Sequence, residues 1–294
     1  AMGYMHPRYK PLHVVTGRLS SENPNIQNVP RNAKYRQVFR DPAWLWMKAD
    51  YSQIELRVAA WLSGEPRMLQ AYREGLDLHA LTAQLVLHSD PKEEFKGTTA
   101  RQAAKTLNFG LLYGAGPGTL QRIARMEYGL ALEEDEARQA RDDFFAAYPA
   151  LRSWHRRMED AITTTGMSIS PLGRVRHLAA ALRPKWDDED GQRHKAIREG
   201  INHPVQSFAS DLLLMSMVRV ADNLRFYGGG AKVVAEGHDE IDLLVAPEYL
   251  EVVGKVVKDT MEDVSWLQKF GIKLTVPVLA EVTAGPSWGE QKEI

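Results

Sequence analysis

Apolar residues recur at three- and four-residue spacing through most of the chain. The pattern predicts helices over about 52–62, 65–74, 78–88, 99–113, 117–128, 133–147, 149–165, 191–202 and 205–227. Gly75, Gly114, Gly129, Gly166 and the triplet Gly228-Gly229-Gly230 fall where those runs stop, as helix ends favour. Strand-like runs are fewer: 44–50, a hairpin of 167–170 with 175–178 around Pro171-Leu172-Gly173, a second hairpin within 231–246, and 276–283. These sparse strands bracket the helical middle. The expected fold class is therefore α+β, an antiparallel sheet with a mostly helical insertion between about 76 and 190. No internal repeat or low-complexity tract interrupts the pattern.

One helix face carries more than packing. Arg101, Lys105, Phe109 and Tyr113 follow one another at four-residue steps. A helix turns about 100° per residue, so each step returns to nearly the same side with a drift of about 40°. Two cations and two aromatic rings thus form one stripe, cations first. Such a stripe suits a ligand with anionic groups at one end and a flat ring at the other, the shape of a nucleoside triphosphate. An amphipathic core helix with two snorkelling cations is the plainer reading of the same spacing.

Carboxylates flank the stripe in sequence. The mostly apolar run Trp44-Leu45-Trp46-Met47-Lys48-Ala49 reads as a strand ending at Asp50. Downstream, two short strands enclose Gly237-His238-Asp239-Glu240, which has the composition of a tight hairpin. A carboxylate at a strand end and another in a hairpin turn can meet at one sheet edge. Oxygen donors arranged so hold hard cations and leave coordination positions for water and phosphate.

Composition adds limits. At 294 residues the chain has room for one large core or two smaller domains. Without an apolar run of about 18 residues no membrane-spanning helix is expected, and no cysteine is present for disulfides or thiolate metal sites. The net charge of −1 lacks the basic excess usual for nucleic-acid binders. Clustered acids that hold metals and clustered bases that grip phosphates would cancel in that sum. Basic groups do cluster locally: Arg31, Lys34, Arg36 and Arg40; Arg152, Arg156 and Arg157; Arg174, Arg176, His177, Arg183 and Lys185; Arg193, Lys195 and Arg198. Asp187-Asp188-Glu189-Asp190 reads as an exposed loop, since four acids beside DNA phosphates would repel them.

Three segments together resemble the polymerase motifs of family A DNA polymerases. They are Asp50-Tyr51-Ser52-Gln53-Ile54-Glu55-Leu56-Arg57, the run Arg101 to Gly114, and His238-Asp239-Glu240. Thr16-Gly17-Arg18-Leu19-Ser20-Ser21 with Pro24 to Pro30 is similar to the family's primer-side segment. Asp77 to Ala83, Asn202-His203-Pro204-Val205-Gln206 and Ser287-Trp288-Gly289-Glu290 also match, in order, so the resemblance runs from about Tyr4 to Glu290.

The resemblance implies a palm of residues 1–75 and 191–294 with helical fingers at 76–190. The implied reaction adds deoxynucleotides to a primer 3′-hydroxyl by two-metal phosphoryl transfer, with pyrophosphate released. Two Mg²⁺ ions, with Mn²⁺ as a possible substitute, would be held by Asp50, Asp239 and the Tyr51 carbonyl, with Glu240 in support. Arg101, Lys105 and His79 would meet the triphosphate, Lys105 following its charge into the transition state. Phe109 would stack on sugar and base, and Gln53 belongs to the same nucleotide-binding set. Glu55, buttressed by Tyr113, would exclude a ribose 2′-hydroxyl. Arg18, Gln27, Asn28, Arg198, Asn202, Gln206 and His238 would contact primer–template DNA, several of them in the minor groove. Donors there sense pair shape without reading sequence. Ser207-Phe208, Glu236-Gly237 and Gln102 depart from the family's usual residues.

By this resemblance the partners are primer–template DNA and deoxynucleoside triphosphates, with no membrane and a cytoplasmic location. Only about 15 residues precede Thr16. A thumb and exonuclease region is therefore expected either on a longer intact chain or on a separate subunit. Two further readings stand beside the polymerase: a non-catalytic primer–template binding module, and a metal nuclease. The nuclease leaves the cation-to-aromatic stripe without a purpose.

Overall fold

The computed structural model describes residues 3–30, 32–188, 190–237 and 239–294, with Glu127 and Tyr128 described by backbone alone. The fold is α+β, and the chain divides into two compact units. A sheet unit comprises residues 1–54, 207–273 and 278–294; a helical unit comprises 55–206 and 274–277.

The sheet unit is built on five antiparallel strands in the spatial order Glu290–Glu293, Ala280–Ser287, Leu45–Tyr51, Glu240–Val245, Ala231–Gly237. The central strand alternates, sending Met47, Ala49 and Tyr51 to one face and Trp46, Lys48 and Asp50 to the other. On the first face Tyr51 is buried, its hydroxyl 2.7 Å from Ser216 Oγ and donating to the Met261 carbonyl at 2.8 Å. Met261 belongs to the helix Leu250–Glu262, which the helical pattern did not predict: its Val-rich run broken by Gly254 reads poorly as a helix. Gly254 has a packing reason. A Cβ there would lie 2.9 Å from Ile294 Cδ1 and 3.6 Å from Met47 Cε. On the opposite face Ile26, Trp46, Ala235, Leu244 and Trp288 form an apolar cluster with Phe39 packed against it. The predicted strand 276–283 forms later in sequence, at Ala280–Ser287.

The helical unit packs the stripe helix, Ala100–Leu112, against Leu78–Val86, Pro117–Tyr128 and Glu134–Ala147. Its buried side presents Ala100, Ala103, Ala104, Leu107 and Leu111, and the alanines allow close approach of Ala83 and Ala124. The helix starts at a Thr99 cap, whose hydroxyl accepts from Gln102 N at 3.2 Å.

The unit boundaries fall at 54/55 and 206/207, against the 75/76 and 190/191 expected for palm and fingers. Buried Glu65 explains the first. Its carboxylate accepts from Arg67 N at 3.2 Å and from Ala150 N at 2.8 Å, joining helix Pro66–Arg73 to helix Pro149–Thr165. At the second, the predicted helices 191–202 and 205–227 run on through Pro204 as one helix, Gln192–Leu224. Proline cannot donate to the carbonyl four residues back, that of Gly200. The Ser168 hydroxyl donates to it instead, at 2.7 Å. A Cβ on Gly200 would lie 2.5 Å from Ile162 Cδ1 and 2.7 Å from Leu178 Cδ1, so the first part of this helix is fitted to the helical unit.

Candidate active site

In the sheet unit, strand register brings the predicted carboxylates together. Asp50 pairs with Glu240 on one side and Glu281 on the other. Tyr51 N donates to the Asp239 carbonyl at 3.0 Å, so the turn that carries Asp239 adjoins the end of the Asp50 strand. The hairpin is tight: Gly237 pairs with Glu240, and Asp239 N donates to the Gly237 carbonyl at 2.7 Å. Gly237 lacks a side chain for a reason, since a Cβ would meet the Glu240 carboxylate at 2.9 Å. His238 lies outside the described residues.

The charge balance here is unusual. Glu240 is buried between two cations, Lys48 at 3.3 Å and Arg36 at 3.7 Å, and Arg36 also stacks over the Trp288 ring at 4.1 Å. Burial raises the Asp50 carboxyl above the usual carboxylate range, with Glu240 and Glu281 adding to the effect and Lys48 opposing it. Asp242 is fully buried, and burial with the nearby Glu240 pushes it up to about 8, although Trp46 Nε1 donates to its Oδ1 at 2.8 Å. A cavity of about 190 Å³ beside the hairpin is lined in part by Gln27, Arg36, Glu236, Asp239, Glu240 and Asp242.

The primer-side segment belongs to the same unit. Gln27 is committed there: its Oε1 accepts from Ser21 N at 3.0 Å, and its Nε2 donates to Leu19 O at 3.2 Å and Glu236 Oε2 at 2.8 Å. Glu236 is itself bracketed by the Tyr9 hydroxyl, which accepts from its N–H at 3.0 Å and donates to its carbonyl at 3.1 Å. Asn28 is exposed and Arg18 half-buried. Gln53 takes a left-handed conformation, φ 54°, just beyond the Asp50 strand.

In the helical unit, the stripe lies on the accessible side of its helix: Arg101 is exposed, and Lys105, Phe109 and Tyr113 are partly so. Arg101 pairs with Asp77, which also caps the next helix by accepting from His79 N at 2.9 Å. His79 is buried and its ring centroid is 5.9 Å from that of Phe109. Burial lowers its pKa to about 4, so it is a neutral imidazole at pH 7. Asn108 Nδ2 lies 2.8 Å from His79 Nδ1, while Thr82 Oγ1 donates to Asn108 Oδ1 at 3.0 Å. That chain makes Nδ1 the acceptor and leaves the proton on Nε2. The Tyr148 hydroxyl, 2.8 Å from Thr82 Oγ1, extends the network. The Tyr113 hydroxyl donates to the Glu55 carboxylate. Arg198, Asn202 and Gln206 are the partly exposed positions of a helix face whose neighbours Ile197, Ile201 and Val205 are buried.

Sequence reading did not single out Lys48, Asp242, Glu236, Asn108, Thr82 or Tyr148 as parts of these sites. A charged residue two places before Asp50 on a strand, and an Asp two places after Glu240, were the available signals. Both sit on the same sheet face as Asp50 and Glu240 by alternation alone.

The model of DNA polymerase family A matches residues 1–290. The chain belongs to that family. DNA polymerase I of Chloroflexus aurantiacus is 35% identical over 99% of this chain and 30% of its own length. The thermostable DNA polymerase I of Thermus aquaticus is 34% identical over 99% of this chain and 33% of its own. For DNA polymerase I of Aquifex aeolicus the figures are 32%, 97% and 46%. The chain thus spans between about a third and a half of these relatives. The polymerase domain of Pol1 from M. smegmatis, in complex with DNA primer-template and dNTP, superposes with a TM-score of 0.83 at 26% identity. It covers 98% of this chain and 49% of that one. Among the described residues of this family member no helix is long and apolar enough to cross a membrane.

Proposed function

We propose that this chain carries the catalytic portion of a DNA-directed DNA polymerase, extending a primer 3′-hydroxyl with deoxynucleoside triphosphates and releasing pyrophosphate. The observation that carries the reading is the pairing of the Asp50 strand with the Asp239–Glu240 hairpin in a chain of this family. The sheet unit then corresponds to a palm and the helical unit to fingers.

The donor set fits divalent metal. The groups are hard carboxylate oxygens, Asp50 is raised chiefly by burial, and the Lys48 ammonium already stands as a cation between Asp50 and Glu240. Among the described residues no three His, Asp or Glu side chains form a ready-made cage. An incomplete shell suits ions that share substrate phosphates. Asp50, Asp239 and the Tyr51 carbonyl would hold two Mg²⁺, or Mn²⁺ in substitution, which supply Lewis-acid activation and charge neutralisation.

The remaining work belongs to side chains. Arg101 and Lys105 neutralise the triphosphate through charge-assisted hydrogen bonds, and those that tighten as charge develops lower the barrier. His79, neutral and oriented by Asn108, donates from Nε2 to the same oxygens. Phe109 stacks on sugar and base; Gln53 completes the nucleotide side. Glu55, held by Tyr113, fills the space below the sugar 2′ position. Arg18, Asn28, Arg198, Asn202, Gln206 and His238 contact primer and template. Gln27, whose amide is fully used by Leu19, Ser21 and Glu236, acts by fixing the primer-side loop.

Primer extension tests the reading. With Mg²⁺, primer–template and four deoxynucleotides the chain is expected to produce a product ladder. Asp50→Ala and Asp239→Ala are each expected to abolish it while primer–template binding stays measurable by anisotropy. Turnover in either variant would refute the metal assignment, and DNA binding by the parent without any ladder would favour a binding module.

A further inference from the structure

Lys48 shares its sheet face with Asp50, two residues along the same strand. Its ammonium lies 3.2 Å from Asp50 Oδ2 and 3.3 Å from Glu240 Oε2, so one cation bridges carboxylates on two adjacent strands. Directly across the same strand pair, in register with Lys48, stands Asp242. Asp242 is completely buried; Trp46 occupies its Oδ1, and its Oδ2 has no hydrogen-bond partner among the described residues. A buried polar atom left without a partner in this way is costly unless something else uses it.

An ammonium and a divalent cation compete for the same carboxylate oxygens. Lysine is a compact charge on a flexible four-carbon stem, able to change partners without moving the backbone. We infer that Lys48 is a displaceable internal counter-ion that holds Asp50 and Glu240 together in the metal-free chain, yields Asp50 to an arriving divalent ion, and then turns to Asp242 Oδ2. The inference rests on the metal reading given above and adds that this chain carries its own competitor for the ion. Divalent binding is weakened by whatever the Lys48–Asp50 pair contributes, and the carboxylates are kept from splaying apart meanwhile. Lys48 is a positioning residue here, acting through Asp50 and Glu240.

Mn²⁺ binding to the full chain, followed by loss of the free-ion electron paramagnetic resonance signal, tests this directly. Lys48→Met is expected to tighten binding about tenfold, the equivalent of about 1.4 kcal/mol. Lys48→Arg, which keeps the cation, should bind Mn²⁺ within about threefold of the parent, under 1 kcal/mol. Asp50→Asn separates the two readings. If the parent binds no Mn²⁺, or Asp50→Asn binds as the parent does, the metal reading fails and this inference with it. If Asp50→Asn weakens binding but Lys48→Met equals or falls below the parent, the counter-ion role alone is overturned. Should Lys48→Met not fold, the parent still decides the matter. With its lysines reductively ¹³C-methylated, the Lys48 signal, assigned by its absence in Lys48→Arg, should shift on Mg²⁺ addition with the midpoint of ion binding. A resonance that stays in place overturns the inference.

Discussion

The Glu55 carboxylate has a phenol holding it, and under the proposed polymerase reading that bond makes sugar selection a question about two side chains. Removing the carboxylate opens the space, whereas removing only the hydroxyl leaves it filled but without that bond. Glu55→Ala is therefore expected to raise ribonucleotide incorporation on the order of 100-fold, and Tyr113→Phe by less, about 10-fold. Single-nucleotide insertion assays with ribo- and deoxynucleotides measure both, and unchanged selectivity in Glu55→Ala would remove the gate. Phe109 is a phenyl with no hydroxyl to replace a missing sugar 3′-OH, so dideoxynucleotides should be poor substrates. Phe109→Tyr is expected to improve their uptake, read as chain termination in a competition assay. At this scale the sequence was informative, because the stripe depends on helical spacing alone. His79 was legible only as a donor. That it is neutral follows from burial, and that its proton is on Nε2 follows from Asn108 and Thr82 on two different helices, with Tyr148 at the junction of two more.

Among the elements, the helix Gln192–Leu224 is the most instructive. Spacing predicted its two halves as separate helices, parted at Pro204. The structure keeps one helix because a hydroxyl from a hairpin far away in sequence takes the carbonyl that proline strands. Ser168→Ala leaves that carbonyl buried and unsatisfied and should cost about 1–3 kcal/mol, checked by urea denaturation. Gly200→Ala should cost about 1–3 kcal/mol as well, since its Cβ meets Ile162 and Leu178 below 3 Å. The acidic loop at 187–190 shows the same dependence on context. Read as an exposed loop, which it is, it also feeds the start of this helix: Asp188 accepts from Arg193 N at 2.7 Å and His194 N at 3.1 Å, and Asp190 from Gln192 N at 3.1 Å. Both carboxyls are held below the usual range, Asp188 by the Arg193 and His194 bonds against its desolvation and Asp190 by its bonds to Gln192 N and Arg183. Glu189 lies outside the described residues.

Across the whole molecule the two units should respond to pH in opposite senses. His79 and His155 in the helical unit are both lowered to about 4, chiefly by burial. Unfolding lets them bind protons near 6.5, so their contribution is complete above that pH and is lost as pH falls toward 4. At pH 5 each costs about 2 kcal/mol of the stability present at neutral pH. In the sheet unit, Asp242 runs the other way. Its folded carboxyl, pushed up to about 8 by burial, binds a proton that the unfolded chain releases near 3.8, so its contribution falls as pH rises between those values. Burial moves Asp50 in the same direction. Hydrogen exchange without divalent ions, corrected for intrinsic rates, should show protection of the helical unit falling from pH 7 to 5 while that of the Asp242 strands rises. Parallel changes in both units would contradict these assignments.

Local spacing by itself fixed the α+β class, most helices, the hairpin that carries Asp239, and the stripe from Arg101 to Tyr113, because each depends on residues a few positions apart. Tertiary structure decided what faces what. Strand register set Lys48 opposite Asp242 and Asp50 opposite Glu240, pairs 194 and 190 residues apart. Burial then moved the ionisation of His79 and Asp242, and packing turned Gln27 inward to Glu236. Register, desolvation and side-chain partnership arise only when distant segments meet, and no periodicity in the chain encodes them.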